Sequence, residues 1–188
     1  MIKFTDAAFY YKQEPQQIKA WEYLQDKVSE DIIGEFTTIY RETPPTPPRT
    51  KLTPGSPMSQ LVTPNFTYSE LCNGGQEERR FVAQDQCDIA TEICEYLEKL
   101  RDKFGPIKIT SGHRPPAINA SVGGASQSEH LYQVGCGAVD IYPVNGRGQE
   151  MENFCDQDWP YSVGYGMNYR GFVHLGIRAG RPRVRWDY

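Results

Sequence analysis

The chain has 188 residues and a formal net charge of −4 at pH 7, a length that accommodates one full domain and a small additional module. The mildly acidic balance argues against nucleic-acid binding over the whole chain, and no apolar run approaches the ~20 residues of a membrane span. The five cysteines include no C-x-x-C pair. We therefore expect free thiols packed as small apolar residues, with one disulfide as the alternative.

The first 42 residues carry a helical pattern. Apolar residues recur at helical spacing over residues 18–28 and again over residues 32–40. We predict a helical hairpin over residues 1–42 that docks on the main domain or on another chain. The first residues lack the charged and apolar regions of a secretory signal peptide, which predicts synthesis in the cytoplasm.

Residues 43–60 are predicted to form a linker. Six prolines fall between Pro44 and Pro57. Proline favours the extended polyproline II conformation because it lacks the backbone donor of helices and sheets. The linker is therefore expected to be semi-rigid, and a recognition site for a partner domain is the alternative.

Residues 61–188 are predicted to form the main domain, of the α+β class. An amphipathic helix is predicted over residues 85–104, because its apolar residues form one stripe. Strands are predicted at 107–110, 138–142 and 172–177, where apolar residues alternate or run together.

Two of the three histidines and one aspartate form a candidate metal site. Asp140 and His174 fall in predicted strands and can point into one cleft, because alternate strand residues share a face. Together with His130 they offer two imidazoles and one carboxylate, which suit zinc better than calcium or magnesium. Three protein ligands leave a position open for water, as in catalytic zinc sites. In the alternative, Cys136 is a fourth ligand and the zinc is structural.

The motifs around these residues resemble those of the zinc D-Ala-D-Ala peptidase family. They are S-G-H-R-P-P from Ser111, V-G-G from Val122, S-E-H from Ser128 and G-A-V-D from Gly137. That family comprises bacterial and phage D-Ala-D-Ala carboxypeptidases and L-alanyl-D-glutamate endopeptidases. The resemblance covers roughly residues 65–188. It implies the hedgehog/DD-peptidase fold, a zinc domain with a small antiparallel sheet and flanking helices, here preceded by the helical hairpin.

The resemblance also implies roles for individual residues. Zinc (Zn²⁺) would be held by His130, Asp140 and His174. Arg114 would bind a carboxylate of the peptidoglycan stem peptide, a task suited to a bidentate guanidinium, and Ser128 would act beside the metal or the substrate. Ser111 and His113 would complete the substrate-binding surface.

The implied function is a zinc-dependent peptidase that cleaves peptidoglycan stem peptides. The start of the chain, without a signal peptide, favours a phage endolysin or virion-associated wall hydrolase that acts on the cell wall. The N-terminal module, which more loosely resembles a segment of cyanobacterial and cyanophage peptidases, would then dock on another protein or a phage particle.

The chain departs from the family pattern in two motifs. His130 and Asp140 are ten positions apart, three more than is usual in the family, so residues 132–134 are predicted to loop out. His113 replaces the usual Tyr or Phe and is predicted to pack as a flat ring.

The general base expected from the family is also missing near the last histidine. Gly171, Phe172 and Gly176 stand where many relatives carry an acidic residue or a histidine. The base must then come from elsewhere, and the acidic candidates near in sequence are Glu129, Glu150, Glu152, Asp156 and Asp158. Tyr165 and Tyr169 are candidates for stabilising an oxyanion. The missing base also motivates the alternative function, a catalytically silent zinc-containing module for wall binding or structure.

The run from Arg178 to Trp186 is locally basic. One interpretation is a solvated edge strand that ends with Trp186 packed on the core. The other is one side of a groove for anionic wall polymer.

Overall fold

The computed structural model describes residues 50–188; the predicted hairpin over residues 1–42 and the start of the predicted linker lie outside the described residues. This part of the chain contains seven strands and five α-helices, with two additional 3-10 turns at Glu77–Arg79 and Glu129–Leu131. In chain order the elements are β1 (Leu61–Thr63), β2 (Phe66–Thr67), α1 (Tyr68–Leu71), α2 (Gln84–Phe104), β3 (Ile107–Ser111), α3 (Pro116–Ser121), β4 (Cys136–Pro143), α4 (Gly148–Asp158), β5 (Ser162–Tyr165), α5 (Met167–Arg170), β6 (Val173–Arg178) and β7 (Arg185–Asp187).

Helix α2 supplies most of one side of the core. It begins after Ala83, where the Gln86 side chain accepts hydrogen bonds from the backbone N–H groups of Val82 and Ala83, and it ends at Gly105. Its predicted apolar stripe is buried, and α2 lies against β4. Within residues 50–188, no helix is both long and apolar enough to cross a membrane.

The main sheet has the strand order β3-β4-β6-β5-β7. Neighbouring strands are antiparallel, except that the edge strand β7 runs parallel to β5. The predicted α+β class with a small antiparallel sheet and flanking helices is confirmed. The central strands β4 and β6 are almost entirely buried, and they carry two of the three predicted metal ligands.

The second half of the predicted linker, residues 50–60, lies against the main domain. Leu52 is 4% exposed and belongs to the hydrophobic core, and Ser56 is also buried. The Arg80 guanidinium donates hydrogen bonds to the carbonyl oxygens of Pro54 and Ser56. The boundary between linker and domain, which the sequence places between residues 60 and 61, stays a prediction. The packing of Leu52 indicates that the hydrophobic core begins before that boundary.

The insertion between the first two predicted metal ligands is only partly a loop. Gln133 and Val134 form an exposed turn, as predicted. The prediction is wrong for Tyr132, whose ring is buried between Phe81 and His113 with centroid distances of 5.0 and 5.5 Å. A left-handed backbone at Tyr132, with φ of 50°, turns the chain so that this ring enters the core.

All five cysteines are free thiols, and four of them are buried. Burial raises the pKa of the Cys87 thiol to about 11 and that of Cys72 to about 12. These thiols therefore stay protonated at neutral pH and act as small apolar groups.

A pair of N-terminal deletions tests where the domain begins. A variant that starts at residue 50 is expected to keep the melting temperature of the main domain, because it retains Leu52. A variant that starts at residue 58 is expected to melt about 5–10 °C lower, since burial of one leucine contributes about 1.5–3 kcal/mol. Calorimetry of the two variants and the full chain measures this, and equal melting temperatures for the two variants would contradict the placement of Leu52 in the core.

Candidate metal centre and cleft

The three predicted metal ligands lie together in the structure. Asp140 on β4 and His174 on β6 are direct cross-strand partners, so their side chains leave the sheet on the same face. His130 lies on the 3-10 turn Glu129–Leu131, which packs over β4. All three side chains are buried, with 6% of Asp140 and less of each histidine exposed.

The separations of the ligand atoms suit one metal ion. The Nε2 atom of His130 lies 3.1 Å from Oδ1 of Asp140, and the Nδ1 atom of His174 lies 2.9 Å from the same oxygen. One ligand atom from each residue lies within 4.8 Å of the other two. Zinc bonds of about 2.0–2.2 Å in a tetrahedron place neighbouring ligand atoms about 3.4 Å apart. Two imidazoles and one carboxylate are also the ligand types that zinc prefers, so the residues present fit this metal.

His130 is oriented by the backbone. Its Nδ1 atom donates a hydrogen bond to the carbonyl oxygen of Gly112 at 2.8 Å, which leaves Nε2 free to face Asp140. The Arg114 backbone N–H in turn donates to the His130 carbonyl oxygen at 2.8 Å. The S-G-H-R motif therefore holds His130 through main-chain atoms. Such bonds fix the tautomer of a metal-binding histidine.

His174 is oriented by a carboxylate. Its Nε2 atom lies 3.0 Å from Oε2 of Glu129, on the other side of the ring from Asp140. Glu129 also accepts a hydrogen bond from the Ser162 hydroxyl at 2.6 Å and lies 3.0 Å from Nε of Arg178. The two histidines are thus held from outside the cluster by different means, one by a carbonyl and one by a carboxylate.

Burial and the neighbouring charges shift the pKa values of the cluster in different directions. Burial raises the pKa of the Asp140 carboxyl, but the two histidines outweigh it and hold that pKa well below its usual range. Burial lowers the pKa of His130 below its ordinary value. Burial also lowers the pKa of His174, but the hydrogen bonds with Asp140 and Glu129 outweigh it and the pKa is raised. Without a metal, His174 therefore binds a proton more tightly than His130.

Two adjoining clefts, of about 530 and 540 Å³, border the cluster. The first reaches His130 and His174 and the second reaches Asp140, and Arg114 borders both. The Nη2 atom of Arg114 lies 3.7 Å from Oδ2 of Asp140. Its Nε is buried and has no hydrogen-bond partner among residues 50–188. Buried guanidinium donors are normally paired, so this arrangement suits a ligand with an acceptor oxygen.

An aromatic wall formed by Trp186 and Tyr188 closes one side of the first cleft. The Trp186 ring lies 5.0 Å from the His174 ring, centroid to centroid, and the Tyr188 ring lies at 6.3 Å. Gly164 on β5 lies between His174 and Trp186 in the sheet and pairs with both residues. A Cβ atom at Gly164 would lie 2.6 Å from Tyr188 and 2.8 Å from Trp186, so only glycine leaves room for both rings over this strand.

The basic run that precedes the aromatic wall does not form a single solvated face. Arg178 pairs with Glu129 beside His174 and borders the first cleft. Arg185 donates hydrogen bonds to Asp156 and to the carbonyl oxygens of Tyr161 and Trp159. It thereby fixes β7 and orients Trp186 towards His174, which corrects the expectation that Trp186 packs on the core.

The remaining predicted site residues divide between the clefts and the core. Ser128 borders the first cleft, and its hydroxyl accepts a hydrogen bond from the His130 backbone N–H at 3.3 Å. Ser111 borders the second cleft at the end of β3. His113 is 3% exposed, and its Nδ1 donates to the Arg79 carbonyl oxygen. It packs as a flat ring, as predicted, but this burial does not support a substrate-binding role.

Most of the residues considered as a general base or for the oxyanion lie away from the cluster. Glu150 and Asp158 form ion pairs with Arg147 and Lys99. Glu152, Asp156, Tyr165 and Tyr169 likewise do not border either cleft. Of the five acidic candidates only Glu129 does, and it is engaged with His174.

Cys136 does not join the cluster. Within residues 50–188, the group of metal-binding side chains around Asp140 contains only the two histidines and that aspartate. Cys136 lies four residues before Asp140 on the same strand, about 13 Å away at the usual rise per residue. This separation removes the alternative of a four-ligand structural site completed by Cys136.

Residues 64–176 of the chain match the family model described as Peptidase M15. The match includes all three residues of the cluster, together with Arg114, Ser128 and Glu129. A search of curated proteins finds no match to the chain.

The pKa of His174 leads to a prediction about metal binding. Zinc requires neutral imidazole, and the pKa of His174 lies above its ordinary value of about 6.5. Below that pH the metal must displace a proton, so zinc affinity is expected to fall about tenfold per pH unit from pH 6.5 to 5.5. Competition titrations with a chromophoric chelator, corrected for its own protonation, measure this affinity.

His113→Phe provides the matched control for this titration, because it removes the one histidine outside the cluster. The variant should show the same pH dependence as the wild-type chain. An affinity that stays constant between pH 6.5 and 5.5 would contradict a protonated His174 in the metal-free site.

Proposed function

Because the chain belongs to the peptidase M15 family, we propose that it is a zinc-dependent peptidase that cleaves peptidoglycan stem peptides, as a carboxypeptidase or an endopeptidase. The observation that carries this proposal is the buried cluster of His130, Asp140 and His174 at an open cleft bordered by Arg114. The setting predicted from the sequence, a phage endolysin or virion-associated wall hydrolase, stays a prediction.

His130, Asp140 and His174 would hold the zinc ion through Nε2, a carboxylate oxygen and Nδ1. When bound, zinc would polarise the scissile carbonyl and lower the pKa of a bound water to about 7, which generates a nucleophile near neutral pH. With three protein ligands, the zinc ion would keep a further coordination position open, as catalytic zinc sites do. The anionic Asp140 and the hydrogen bonds at the far nitrogens of both rings keep the ligand atoms aimed at one point.

Arg114 would bind a carboxylate of the stem peptide. Its side chain is 17% exposed and its Nε is without a partner among the described residues. An acceptor oxygen in the cleft would therefore meet a desolvated, positively charged donor, and such charge-assisted bonds are stronger than those between neutral groups. Because Arg114 lies beside Asp140, a substrate bound to it would have its peptide backbone close to the metal ligands.

Tyr188 and Trp186 would shield the reacting groups from water. Burial raises the pKa of the Tyr188 phenol, so its hydroxyl stays protonated at neutral pH. A protonated hydroxyl at the edge of the cleft can donate a hydrogen bond to an oxygen that becomes negative during the reaction. This role takes the place of the one considered for Tyr165 and Tyr169.

One observation favours the alternative function, a catalytically silent zinc-containing module. The two carboxylates that border the clefts, Asp140 and Glu129, are both engaged with histidines. A module that binds the wall without cleaving it needs the cleft and Arg114 but no general base.

Peptide products distinguish the two functions. Purified peptidoglycan incubated with the zinc-loaded protein is expected to release fragments that mass spectrometry detects, and a chelator is expected to abolish them. Free D-alanine would identify a carboxypeptidase, whereas cleaved stems or cross-links would identify an endopeptidase. Zinc-loaded protein that releases no fragments from walls of several types would instead support the silent module.

Substitution of Arg114 tests its role in substrate binding. Arg114→Ala is expected to lower kcat/KM by about 10- to 100-fold, since a hydrogen bond to a charged group contributes about 1.5–3 kcal/mol. Arg147→Ala is the matched control, because Arg147 is partly exposed and its guanidinium pairs with Glu150 away from the clefts. Zinc content measured for each variant separates substrate binding from metal loss; unchanged kcat/KM in Arg114→Ala would contradict the assignment.

A further inference from the structure

We propose that Glu129 is the positioning residue for His174, a role that rests on the metal site proposed above. Its Oε2 atom lies 3.0 Å from Nε2 of His174, whereas Nδ1 of the same ring faces Asp140. A carboxylate at Nε2 keeps the proton on that nitrogen. Nδ1 then presents its lone pair to the metal, and the ring cannot rotate without breaking the bond to Glu129.

The geometry distinguishes this role from that of a general base. Glu129 contacts the nitrogen of His174 that points away from Asp140 and His130, so the imidazole ring stands between the carboxylate and the ligand atoms. A general base must come within hydrogen-bond reach of the proton that it accepts, directly or through one water. Glu129 therefore acts through His174 rather than on the substrate.

Glu129 is itself held in place from two sides. The Ser162 hydroxyl donates to Oε2 at 2.6 Å, and Nε of Arg178 lies 3.0 Å from Oε1. The carboxylate side chain is 10% exposed. Because Glu129 directly precedes His130 on the same 3-10 turn, one short segment supplies a metal ligand and also orients the ligand on β6.

The glycine at position 176 is explained by the same carboxylate. A Cβ atom at Gly176 would lie 1.7 Å from Oε2 of Glu129 and 2.6 Å from Oγ of Ser162. The Glu129 side chain therefore occupies the space that a side chain at position 176 would fill. A carboxylate from either position can approach His174 there, but the two cannot be present together.

Zinc affinity of the metal-free protein, measured by competition titration, tests the proposal. Glu129→Ala and the isosteric Glu129→Gln are expected to weaken zinc binding by about 10- to 100-fold, the usual effect of removing a group that orients a ligand. Glu152→Gln is the matched control, because Glu152 is a 4% exposed glutamate that accepts a hydrogen bond from the Met167 backbone away from the clefts. This control is expected to leave zinc affinity unchanged.

A double substitution tests whether the carboxylate matters rather than the packing. Gly176→Asp alone is expected to weaken zinc binding, because it clashes with Glu129. Combined with Glu129→Ala, the same aspartate is expected to restore at least part of the affinity that Glu129→Ala loses. The absorption bands of the cobalt-loaded protein should shift in Glu129→Ala and move back towards the wild-type spectrum in the double variant, which a purely structural role would not produce.

The outcomes separate this proposal from the proposed function. If the wild-type chain binds no zinc, the proposed function fails and the role of Glu129 fails with it. If the wild-type chain binds zinc while folded Glu129→Gln binds it equally tightly with an unchanged cobalt spectrum, only the role of Glu129 is overturned. Weaker binding in both Glu129 variants, with Glu152→Gln unaffected, supports the proposal even if no peptidase activity is found.

Discussion

The pairing of Asp140 with His174 across β4 and β6 is the constraint on which the rest of the site depends. In an antiparallel pair, directly opposed residues share a face, and a slip of one residue would turn one of the two side chains to the opposite face. The other parts of the site are arranged around this pair. The turn with Glu129 and His130 covers it, Arg114 lies beside Asp140, and the aromatic wall lies beside His174.

A buried carboxylate beside two buried imidazoles is costly unless its charge is compensated, because the desolvation of each group must be offset by its neighbours. Asp140 has such neighbours, because it lies near both histidines and Arg114. The opposite side of the same strands meets α2, whose buried apolar stripe contributes the hydrophobic stabilisation. The sheet therefore separates the part of the molecule that stabilises the fold from the part that holds charge.

Local sequence patterns were sufficient for the elements that form the centre of the domain. The apolar stripe of α2 and the alternation in β4 and β6 predicted these elements, and strand periodicity placed Asp140 and His174 on one cleft. The role of Glu129 was beyond such patterns, because its contact with His174 joins residues 45 positions apart through a short turn. Trp186 was misplaced for a similar reason, since β7 joins the sheet edge in a parallel pairing that no alternation within three residues can indicate. The proline content of residues 50–60 predicted an extended chain but gave no indication that Leu52 is buried.

The aromatic wall is anchored to the sheet less firmly than the proposed metal ligands beside it. Trp186 belongs to an edge strand that is paired on one side only and fixed by the contacts of Arg185, whereas Asp140 and His174 lie on strands paired on both sides. Edge elements with few partners open locally at a lower free energy than central strands do. Separation of β7 from β5 would therefore widen the entrance while the β4–β6 pair remained intact. In such a sheet, the rate at which a bulky molecule enters the cleft and the tightness with which the buried cluster would retain an ion can change independently of each other.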